Sequence, residues 1–365
     1  MEIEMDRGRA DRIISVNEDN KHLLPVFLSS QKTGNLSRRD VDDWWSTRRI
    51  PASRGGIKQL LWCLQNISLN ELSEKSLGLS LSDQYWIRPE QDVYWEDVNF
   101  FENDFSEDIG ELLITGDWNG GSLISPDNTS DGVVRKRWKI IDGERCLIKG
   151  SSGVPWQAQP FREIFASKLA QVLMANFSDR FVVPYHLYRD DDFVYSVCPN
   201  FVTADTEYVS FNQINAAYKR PNHISGYEFC KQFYKGFEFV LDLQMILDYI
   251  VINEDRHFGN FGLIRNTNTG EWIEPAPIFD TGSSLFYNSM KLNPKFIECK
   301  PFHKDFDRQI KCVDLLLYKE SIQAVSENID SIFYKSFEGC FEDDERMEQI
   351  YSVVQSQIKK LLAYI

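Results

Sequence analysis

The sequence contains no run of apolar residues long enough to cross a membrane, which takes about 18 residues. Its first residues, Met-Glu-Ile-Glu-Met-Asp-Arg-Gly-Arg, lack the apolar core of a signal peptide. Excess positive charge is also lacking, since 40 Lys and Arg residues stand against 55 Asp and Glu residues, for a net charge of -15. Such a surface argues against coating of nucleic acid, because phosphate binding demands the opposite sign. We therefore expect a cytoplasmic protein without direct nucleic-acid binding, with export by a specialised secretion route left open.

Cysteine pairs of the kind that build disulfide frameworks or zinc sites are lacking as well. The seven cysteines are scattered, odd in number and never spaced as Cys-x-x-Cys: Cys63, Cys146, Cys198, Cys230, Cys299, Cys312 and Cys340. This usage suits a reducing compartment. Apolar residues are abundant, with 42% hydrophobic and 13% aromatic residues among 365. That content is enough for a globular protein with one large two-lobed domain or two to three smaller ones.

The first part of the chain, residues 1–105, predicts an accessory region to which we assign no chemistry. Two apolar stretches, residues 13–16 and 23–28, flank a polar turn and predict a short hairpin. Residues 56–66 have apolar residues at helical spacing and predict a short helix. Beyond the accessory region, the apolar residues 112–114 predict a strand.

Three polar residues in the second half of the chain have the spacing of a phosphoryl-transfer site. Asp255 is followed five residues later by Asn260, and Asp280 comes after a short connection. Transfer of a phosphoryl group from a nucleotide needs one carboxylate to orient the acceptor hydroxyl, and an Asn and an Asp to hold Mg²⁺. Asp and Asn also favour turns after helices, but that interpretation leaves their spacing as a coincidence. The sequence therefore predicts Asp255 as the orienting acid, and Asn260 and Asp280 as metal ligands.

A strand lysine upstream strengthens this hypothesis. Residues 137–141 and 145–149 flank Asp142-Gly143, a strong hairpin signal, and Lys149 ends the second strand. A solvated lysine at a strand end is the plainer interpretation for Lys149 alone. The polar loop before the hairpin is typical of loops that cover phosphates with backbone N–H groups. We therefore predict Lys149 as a ligand of nucleotide phosphates.

The element after Lys149 is a predicted helix over residues 160–173, with Glu163 in its first turn. In kinases a strand lysine that holds phosphates is itself held by a glutamate on the following helix. Glu163 equally suits a favourable charge at a helix start. Both roles stay open for Glu163.

Two further segments complete the predicted α+β architecture. Residues 181–188 and 193–198 predict a second hairpin, and residues 199–203 predict a crossing between lobes. In a kinase this crossing offers backbone groups to adenine, so residues 197–202 are the candidate adenine edge, with Val197 and Asn200 as candidate contacts. Residues 227–252 predict one long helix that leads the chain into Asp255. No internal repeat or low-complexity segment is present.

The order Asp255-Arg256-His257-Phe258-Gly259-Asn260, followed by Ile278-Phe279-Asp280-Thr281-Gly282, resembles the catalytic and metal-binding loops of protein kinases. Asp-Arg-His-x-x-Asn is also similar to the loop of phosphatidylinositol 3- and 4-kinases. Bacterial serine/threonine kinases of the HipA and CtkA-like group share that arrangement. Their phosphate-binding loop, Ser-x-x-Gly-x-x-x-Lys, resembles residues 129–136, in which Thr129 replaces the first Ser. The chain therefore resembles the HipA/CtkA-like kinases over about residues 129–284.

This resemblance implies a two-lobed, protein-kinase-like fold and a set of site residues. Residues 1–105 would be an N-terminal accessory region, 106–202 a sheet-rich N-lobe and 203–365 a helical C-lobe. His257 would support the catalytic loop or the transferring phosphoryl group. The remaining residues implied in nucleotide binding are Thr129, Ser130, Gly132, Lys136, Lys149, Glu163, Val197 and Asn200.

The same resemblance implies ATP and Mg²⁺, and a protein substrate with a Ser or Thr acceptor. It also implies autophosphorylation at Thr129 or Ser130, which the replacement of the first Ser leaves open. Whether a small DNA-binding partner of antitoxin type exists, as for many HipA-like kinases, stays open as well. One alternative is a phosphatidylinositol or small-molecule kinase, against which the acidic composition leans. The other is a catalytically silent kinase fold that serves as a binding module, against which the full set of polar residues argues.

Overall fold

The computed structural model describes residues 1–6, 9–28, 36–64, 67–88, 92–115, 121–130, 132, 134–151, 157–190 and 193–365. The chain divides into two compact units. Unit 1 comprises Met1–Lys149, Pro199–Lys219 and Ile264–Ile273. Unit 2 comprises Gly150–Cys198, Arg220–Leu263 and Glu274–Ile365. The predicted three-part division at residues 105 and 202 stays a prediction about domain organisation.

The described residues form nine strands and twelve α-helices, and each unit contains both, so the predicted mixed α+β class is confirmed. The strands are β1 (Glu2–Asp6), β2 (Arg9–Ser15), β3 (Lys136–Ile141), β4 (Glu144–Lys149), β5 (His186–Asp190), β6 (Phe193–Pro199), β7 (Thr206–Ser210), β8 (Gly262–Asn266) and β9 (Trp272–Pro275). The helices are α1 (Arg38–Ser46), α2 (Ile57–Cys63), α3 (Leu69–Lys75), α4 (Trp95–Val98), α5 (Asp108–Thr115), α6 (Gln159–Met174), α7 (Phe211–Ala217), α8 (Gly226–Phe233), α9 (Phe237–Val251), α10 (Phe306–Gln309), α11 (Lys319–Ser336) and α12 (Asp344–Tyr364).

The N-terminal hairpin of unit 1 lies earlier than predicted. β1 pairs with β2 in antiparallel register, whereas Lys21–Leu23 forms a 3-10 turn, so the predicted pairing of residues 13–16 with 23–28 is wrong. The alternation Glu-Ile-Glu-Met-Asp in β1 is the period-two signal of a half-exposed strand. Trp44 and Trp45 of α1 are buried in the apolar cluster that packs against this hairpin.

The predicted strand over residues 112–114 is also wrong, because these residues lie in α5. Ile109, Leu112 and Leu113 are fully buried against Leu60 of α2. Their spacing of three and four residues places them on one face of a helix. The predicted short helix over residues 56–66 is confirmed as α2.

The predicted hairpin before Lys149 is confirmed in unit 1. β3 and β4 pair from Lys136 opposite Lys149 to Ile141 opposite Glu144. Asp142 and Gly143 form the turn with φ of 51° and 85°. Two consecutive positive φ values suit the right-handed twist of a two-residue hairpin. The strands β7, β8 and β9 form a sheet in that order, of which residues 206–210, 264–266 and 272–273 belong to unit 1.

The core of unit 2 is built around α6 and α9, against which α11 and α12 pack. Phe165 of α6 contacts Phe333 of α11, with ring centroids 5.4 Å apart. The predicted helix over residues 160–173 is confirmed as α6, and the predicted second hairpin as β5 and β6. The predicted single helix over residues 227–252 is wrong, because α8 and α9 are separated by a break at which Gly236 has φ of 91°. Among the described residues, no helix is both long and apolar enough to cross a membrane.

Candidate active site

The catalytic-loop candidate begins where α9 ends. Ile252 caps α9 with φ of 52°, which turns the chain out of the helix. The buried Asn253 side chain then donates to Asp248 Oδ1 at 2.8 Å and accepts from the Asp255 N–H group at 3.1 Å. Because Asp248 belongs to α9, these bonds fix the start of the loop relative to a buried helix.

Arg256 ties the loop to both predicted metal ligands. Its guanidinium group, fully buried, donates to Asp248 Oδ2 from Nε at 2.9 Å and to Oδ1 from Nη2 at 3.2 Å. Nη1 donates to the carbonyl oxygens of Asn260 and Phe279, each at 2.8 Å. Phe279 directly precedes Asp280, so one nitrogen atom holds the backbones of the two predicted ligands together. A planar guanidinium with several donors is suited to such bridging.

Asp255 is half exposed and paired with a cation. Its Oδ1 accepts from Lys300 Nζ at 3.0 Å, and the two side chains are 45% and 43% exposed. Its backbone carbonyl accepts from Asn260 Nδ2 at 3.1 Å. Asp255 is therefore accessible to an acceptor hydroxyl, while its backbone is fixed beside Asn260.

Asn260 fits a metal ligand in orientation. Because Nδ2 donates to the Asp255 carbonyl, the amide oxygen, which is the atom that binds a hard cation, is turned away from that bond. Among the described residues, no group of three or more His, Cys, Asp or Glu side chains could hold a metal ion. As predicted metal ligands, Asn260 and Asp280 would supply two oxygen atoms. This suits Mg²⁺, which is commonly held by one or two protein groups together with phosphate oxygens and water.

Asp280 has a backbone conformation that is rare outside glycine, with φ of 57°. Its N–H group donates to the Tyr185 hydroxyl at 3.4 Å. The segment before it is anchored by a parallel bridge between Val182 and Ile278. Non-glycine residues in this region concentrate at functional sites, where the surrounding structure holds them. The unusual φ of Asp280 therefore suits a residue of a functional site.

Glu163 of α6 contacts the segment that follows Asp280. Glu163 is buried, and its Oε1 accepts from the Thr281 N–H group at 2.7 Å and from the Thr281 hydroxyl at 3.4 Å. α6 begins at Gln159, so Glu163 lies beyond the first turn. A role as a mere dipole charge at the helix start is therefore wrong. A Cβ atom added to Gly282 would lie 2.8 Å from Glu163 Oε2, so glycine is what permits this approach.

His257 is exposed and makes a local contact within the loop. Its Nδ1 accepts from the Gly259 N–H group at 3.0 Å, which leaves Nε2 as the protonated nitrogen of a neutral ring. A Cβ atom on Gly259 would lie 2.8 Å from this imidazole. Gly259 is thus the residue that lets the ring fold back over the loop.

The charges around Asp255 affect its neighbours. Burial and the adjacent Asp255 raise the pKa of Glu254, and Lys300 acts in the opposite direction. Burial together with Glu254 and Asp255 also raises the pKa of the Tyr287 hydroxyl. The loop therefore carries concentrated negative charge, which Lys300 partly offsets.

In unit 1, the predicted phosphate loop is held by Arg54. This buried side chain donates to the Gly132 carbonyl at 2.9 Å and to the Ser130 hydroxyl and carbonyl at 2.7 Å and 2.5 Å. The Thr129 hydroxyl is buried and donates to the Leu79 carbonyl at 2.8 Å. Gly132 has φ of 94°, a conformation that favours glycine. Asp131 and Val133 lie outside the described residues.

Lys149 ends β4 in a buried position, directly opposite Lys136 of β3. Side chains of directly paired residues lie on the same face of a hairpin, with Cβ atoms about 4.5–5.5 Å apart. Binding of nucleotide phosphates by Lys149 and Lys136 on this face stays a prediction.

The two predicted adenine contacts lie in different units. Val197 of β6 pairs with His186 in unit 2. In unit 1, the Asn200 N–H group donates to the Arg145 carbonyl at 2.8 Å, and its side chain donates to the Leu81 carbonyl at 2.9 Å. These bonds fix the segment that begins at Pro199. Contact of Val197 or Asn200 with adenine stays a prediction.

Several residues that shape the site were not predicted from the sequence. Asp248 carried one signal, since an acid in the last turn of a helix is unfavourable for the helix dipole unless it has a partner. Arg256 is that partner. Lys300 lies 45 residues beyond Asp255, and no local pattern marks the pairing.

No model of a protein family matches the sequence, and no curated protein matches it. Among solved structures, the chain is similar to the proinflammatory kinase CtkA of Helicobacter pylori, with 16% identity and a TM-score of 0.47. That similarity covers 64% of this chain and 92% of CtkA. It is also similar to HipA in the complex of the Shewanella oneidensis MR-1 toxin–antitoxin system with HipB and operator DNA. There the identity is 11% and the TM-score 0.48, over 94% of this chain and 85% of HipA. The predicted resemblance to the HipA/CtkA-like kinases is thereby confirmed as a structural similarity.

Proposed function

We propose that this chain is an ATP- and Mg²⁺-dependent kinase that transfers the γ-phosphoryl group to a Ser or Thr hydroxyl of a protein. The observation that carries the proposal is the Arg256 bridge. One buried guanidinium joins Asp248 of α9, the backbone of Asn260 and the residue before Asp280. A turn that only ends a helix has no need of a buried arginine that also fixes Asp280.

Residues of unit 2 would orient the acceptor and hold the metal ion. Asp255 would accept the hydrogen of the acceptor hydroxyl, and Asn260 and Asp280 would bind Mg²⁺ through their oxygen atoms. When bound, Mg²⁺ neutralises charge on the phosphate oxygens. Glu163 holds the backbone after Asp280 through Thr281, and His257 supports the loop. These side chains supply orientation and charge, which account for most catalysis of phosphoryl transfer.

Residues of unit 1 would hold the nucleotide. Lys149 and Lys136 lie opposite each other in the hairpin and would bind phosphate oxygens. The loop of Thr129, Ser130 and Gly132 would cover the phosphates, with Arg54 holding its shape. Autophosphorylation at Thr129 requires this loop to open, because its hydroxyl is buried.

The resemblance to the HipA/CtkA-like kinases supports a protein acceptor and a small DNA-binding partner of antitoxin type. An inositol lipid or a small-molecule acceptor is the competing outcome. Measuring phosphate transfer to a protein, to an inositol lipid and to a small molecule distinguishes these acceptors.

The proposal is tested by separating nucleotide binding from transfer. We expect Asp255→Ala to lower γ-phosphate transfer by several orders of magnitude while ATP–Mg²⁺ still binds, since the Asp255 carboxylate would act on the acceptor hydroxyl and not on the nucleotide. Asp280→Ala should lose transfer and weaken binding of ATP in the presence of Mg²⁺. The control is Asp344→Ala, which removes an exposed carboxylate of α12. Near-normal transfer by Asp255→Ala and Asp280→Ala contradicts the proposal.

A further inference from the structure

A closed turn carries Lys300 to Asp255. The Cys299 N–H group donates to the Lys304 carbonyl at 3.0 Å, which closes the turn. The buried Gln309 side chain donates to the Lys300 carbonyl at 2.7 Å and accepts from the N–H groups of Phe302 at 3.0 Å and His303 at 3.2 Å. A buried amide that satisfies three backbone groups fixes the turn they belong to. The backbone of Lys300 is therefore held without any help from its ammonium group.

The ion pair that this turn presents adds little to the stability of the fold. Lys300 Nζ lies 3.0 Å from Asp255 Oδ1, and both side chains are more than two fifths exposed. Exposed ion pairs contribute about 0–1 kcal/mol. Stability alone thus gives no reason for a lysine that is held so firmly beside Asp255.

The surroundings of the pair give a chemical reason. Glu254 and Asp255 are adjacent acids, and the γ-phosphoryl group that must approach them is also anionic. Repulsion between these charges would raise the barrier to transfer. An ammonium group beside Asp255 lowers that repulsion, because it offsets one of the two carboxylate charges.

We propose that Lys300 is a positioning residue, which holds Asp255 in the orientation required for transfer and offsets its charge. The inference rests on the proposed function. Lys300 occupies Oδ1 of Asp255, which assigns Oδ2 to the acceptor hydroxyl. As the hydroxyl oxygen forms its bond to the γ-phosphorus, its proton passes to Oδ2. The bond from that phosphorus to the β–γ bridging oxygen breaks, and its electron pair leaves with ADP. Lys300 stays protonated throughout.

The test replaces the ammonium group and keeps the chain length. We expect Lys300→Met to lower kcat about 10- to 100-fold, as loss of an electrostatic group at a transfer site does. The dissociation constant of ATP–Mg²⁺ and the melting temperature should stay at wild-type values, because Lys300 acts on Asp255. Lys300→Arg keeps the charge, so its kcat should be about tenfold higher than that of Lys300→Met. Transfer is measured to dephosphorylated casein or to the chain itself, whichever the wild type phosphorylates.

Lys304→Met is the matched control, since it makes the same change in the same turn. Lys304 is 87% exposed and paired with Glu298, and its variant should turn over like the wild type. A wild-type kcat for Lys300→Met overturns the role of Lys300 alone. So does a loss of ATP binding as large as the loss of turnover, or an equal defect in Lys300→Arg. A wild-type chain that transfers no phosphate overturns the proposed function, and the role of Lys300 with it.

Discussion

Arg256 is the residue on which the candidate site depends most. It lies in a buried network in which Asp248 accepts two of its hydrogen bonds and the backbone carbonyls of Asn260 and Phe279 accept two more. A buried guanidinium is stable only when its charge is paired and its donors are satisfied. The Asp-Arg-His order in the sequence is therefore partly explained by structure, since the arginine fixes the loop that Asp255 needs.

Loss of this guanidinium should destabilise unit 2 strongly. We expect Arg256→Met to lower the free energy of unfolding by about 3–5 kcal/mol, because Asp248 is left buried without its partner. Chemical denaturation followed by circular dichroism measures this change. The control is Arg308→Met, at an exposed position of α10, with an expected change within about 0.5 kcal/mol. A loss below about 1 kcal/mol in Arg256→Met would show that the network adds little to stability.

At the scale of elements, local sequence patterns predicted the hairpins and helices that depend on neighbouring residues. The β3–β4 hairpin follows from Asp142-Gly143, and α6 follows from its apolar spacing. The patterns were misleading where an apolar run is too short to distinguish the strand period from the helix period. Residues 112–114 are such a run, and they lie in α5. They also missed the break at Gly236, because apolar spacing continues across it.

The contact between α6 and the segment after Asp280 depends on the absence of a side chain at Gly282. A methyl group there would meet the Glu163 carboxylate at 2.8 Å. Glu163 would have to move away from the Thr281 N–H group that it accepts from. The glycine of Asp-Thr-Gly is thus explained by packing, which no sequence pattern reveals without the position of α6.

We predict that Gly282→Ala costs about 1–3 kcal/mol of stability, as overpacking of a tight contact does. It should also lower phosphate transfer, because the backbone that carries Asp280 shifts. Thermal unfolding and transfer from ATP are the two measurements. Gly226→Ala serves as the control, since a Cβ atom there makes only ordinary contact with Phe302 at 3.5 Å. An unchanged melting temperature and rate in Gly282→Ala would contradict the close approach.

At the scale of the whole molecule, long-range pairings account for what sequence analysis could not supply. Asp255 and Lys300 are 45 residues apart, and Arg54 reaches Ser130 across 76 residues. No local period connects such positions, so only the folded chain reveals them. The spacing of Asp255, Asn260 and Asp280 is local, so the sequence alone could single them out as candidate site residues, and their chemistry stays a prediction. The groups that hold them in place could not be singled out in this way.

A buried carboxyl beside the phosphate loop makes the stability of unit 1 depend on pH. Asp127 accepts from the Trp138 N–H group at 2.9 Å, and burial raises its pKa from 3.8 to about 7. Between these values the folded chain holds a proton that the unfolded chain releases. This contribution to stability is therefore fully present at low pH and is lost as the pH rises through about 7.

We expect Asp127→Asn, which does not titrate, to reduce the fall in melting temperature between pH 5 and pH 8 relative to the wild type. The asparagine oxygen can still accept from Trp138. Thermal unfolding of both proteins at several pH values in this window measures the difference. Asp19→Asn, at an exposed position, should leave the wild-type dependence unchanged. If Asp127→Asn and the wild type have the same pH dependence of the melting temperature, a group other than Asp127 causes that dependence.

The central claim is that this chain transfers the γ-phosphoryl group of ATP through Asp255. It is tested most directly by incubating the full chain with Mg²⁺ and dephosphorylated casein, using ATP labelled in the γ-position and, separately, in the α-position. Mass spectrometry of the same samples locates the phosphate. We predict γ-label on Ser or Thr residues of casein or of the chain itself, no α-label, and loss of the signal in Asp255→Ala. ATP binding without transfer of γ-label to either protein, or label that persists in Asp255→Ala, would contradict the account.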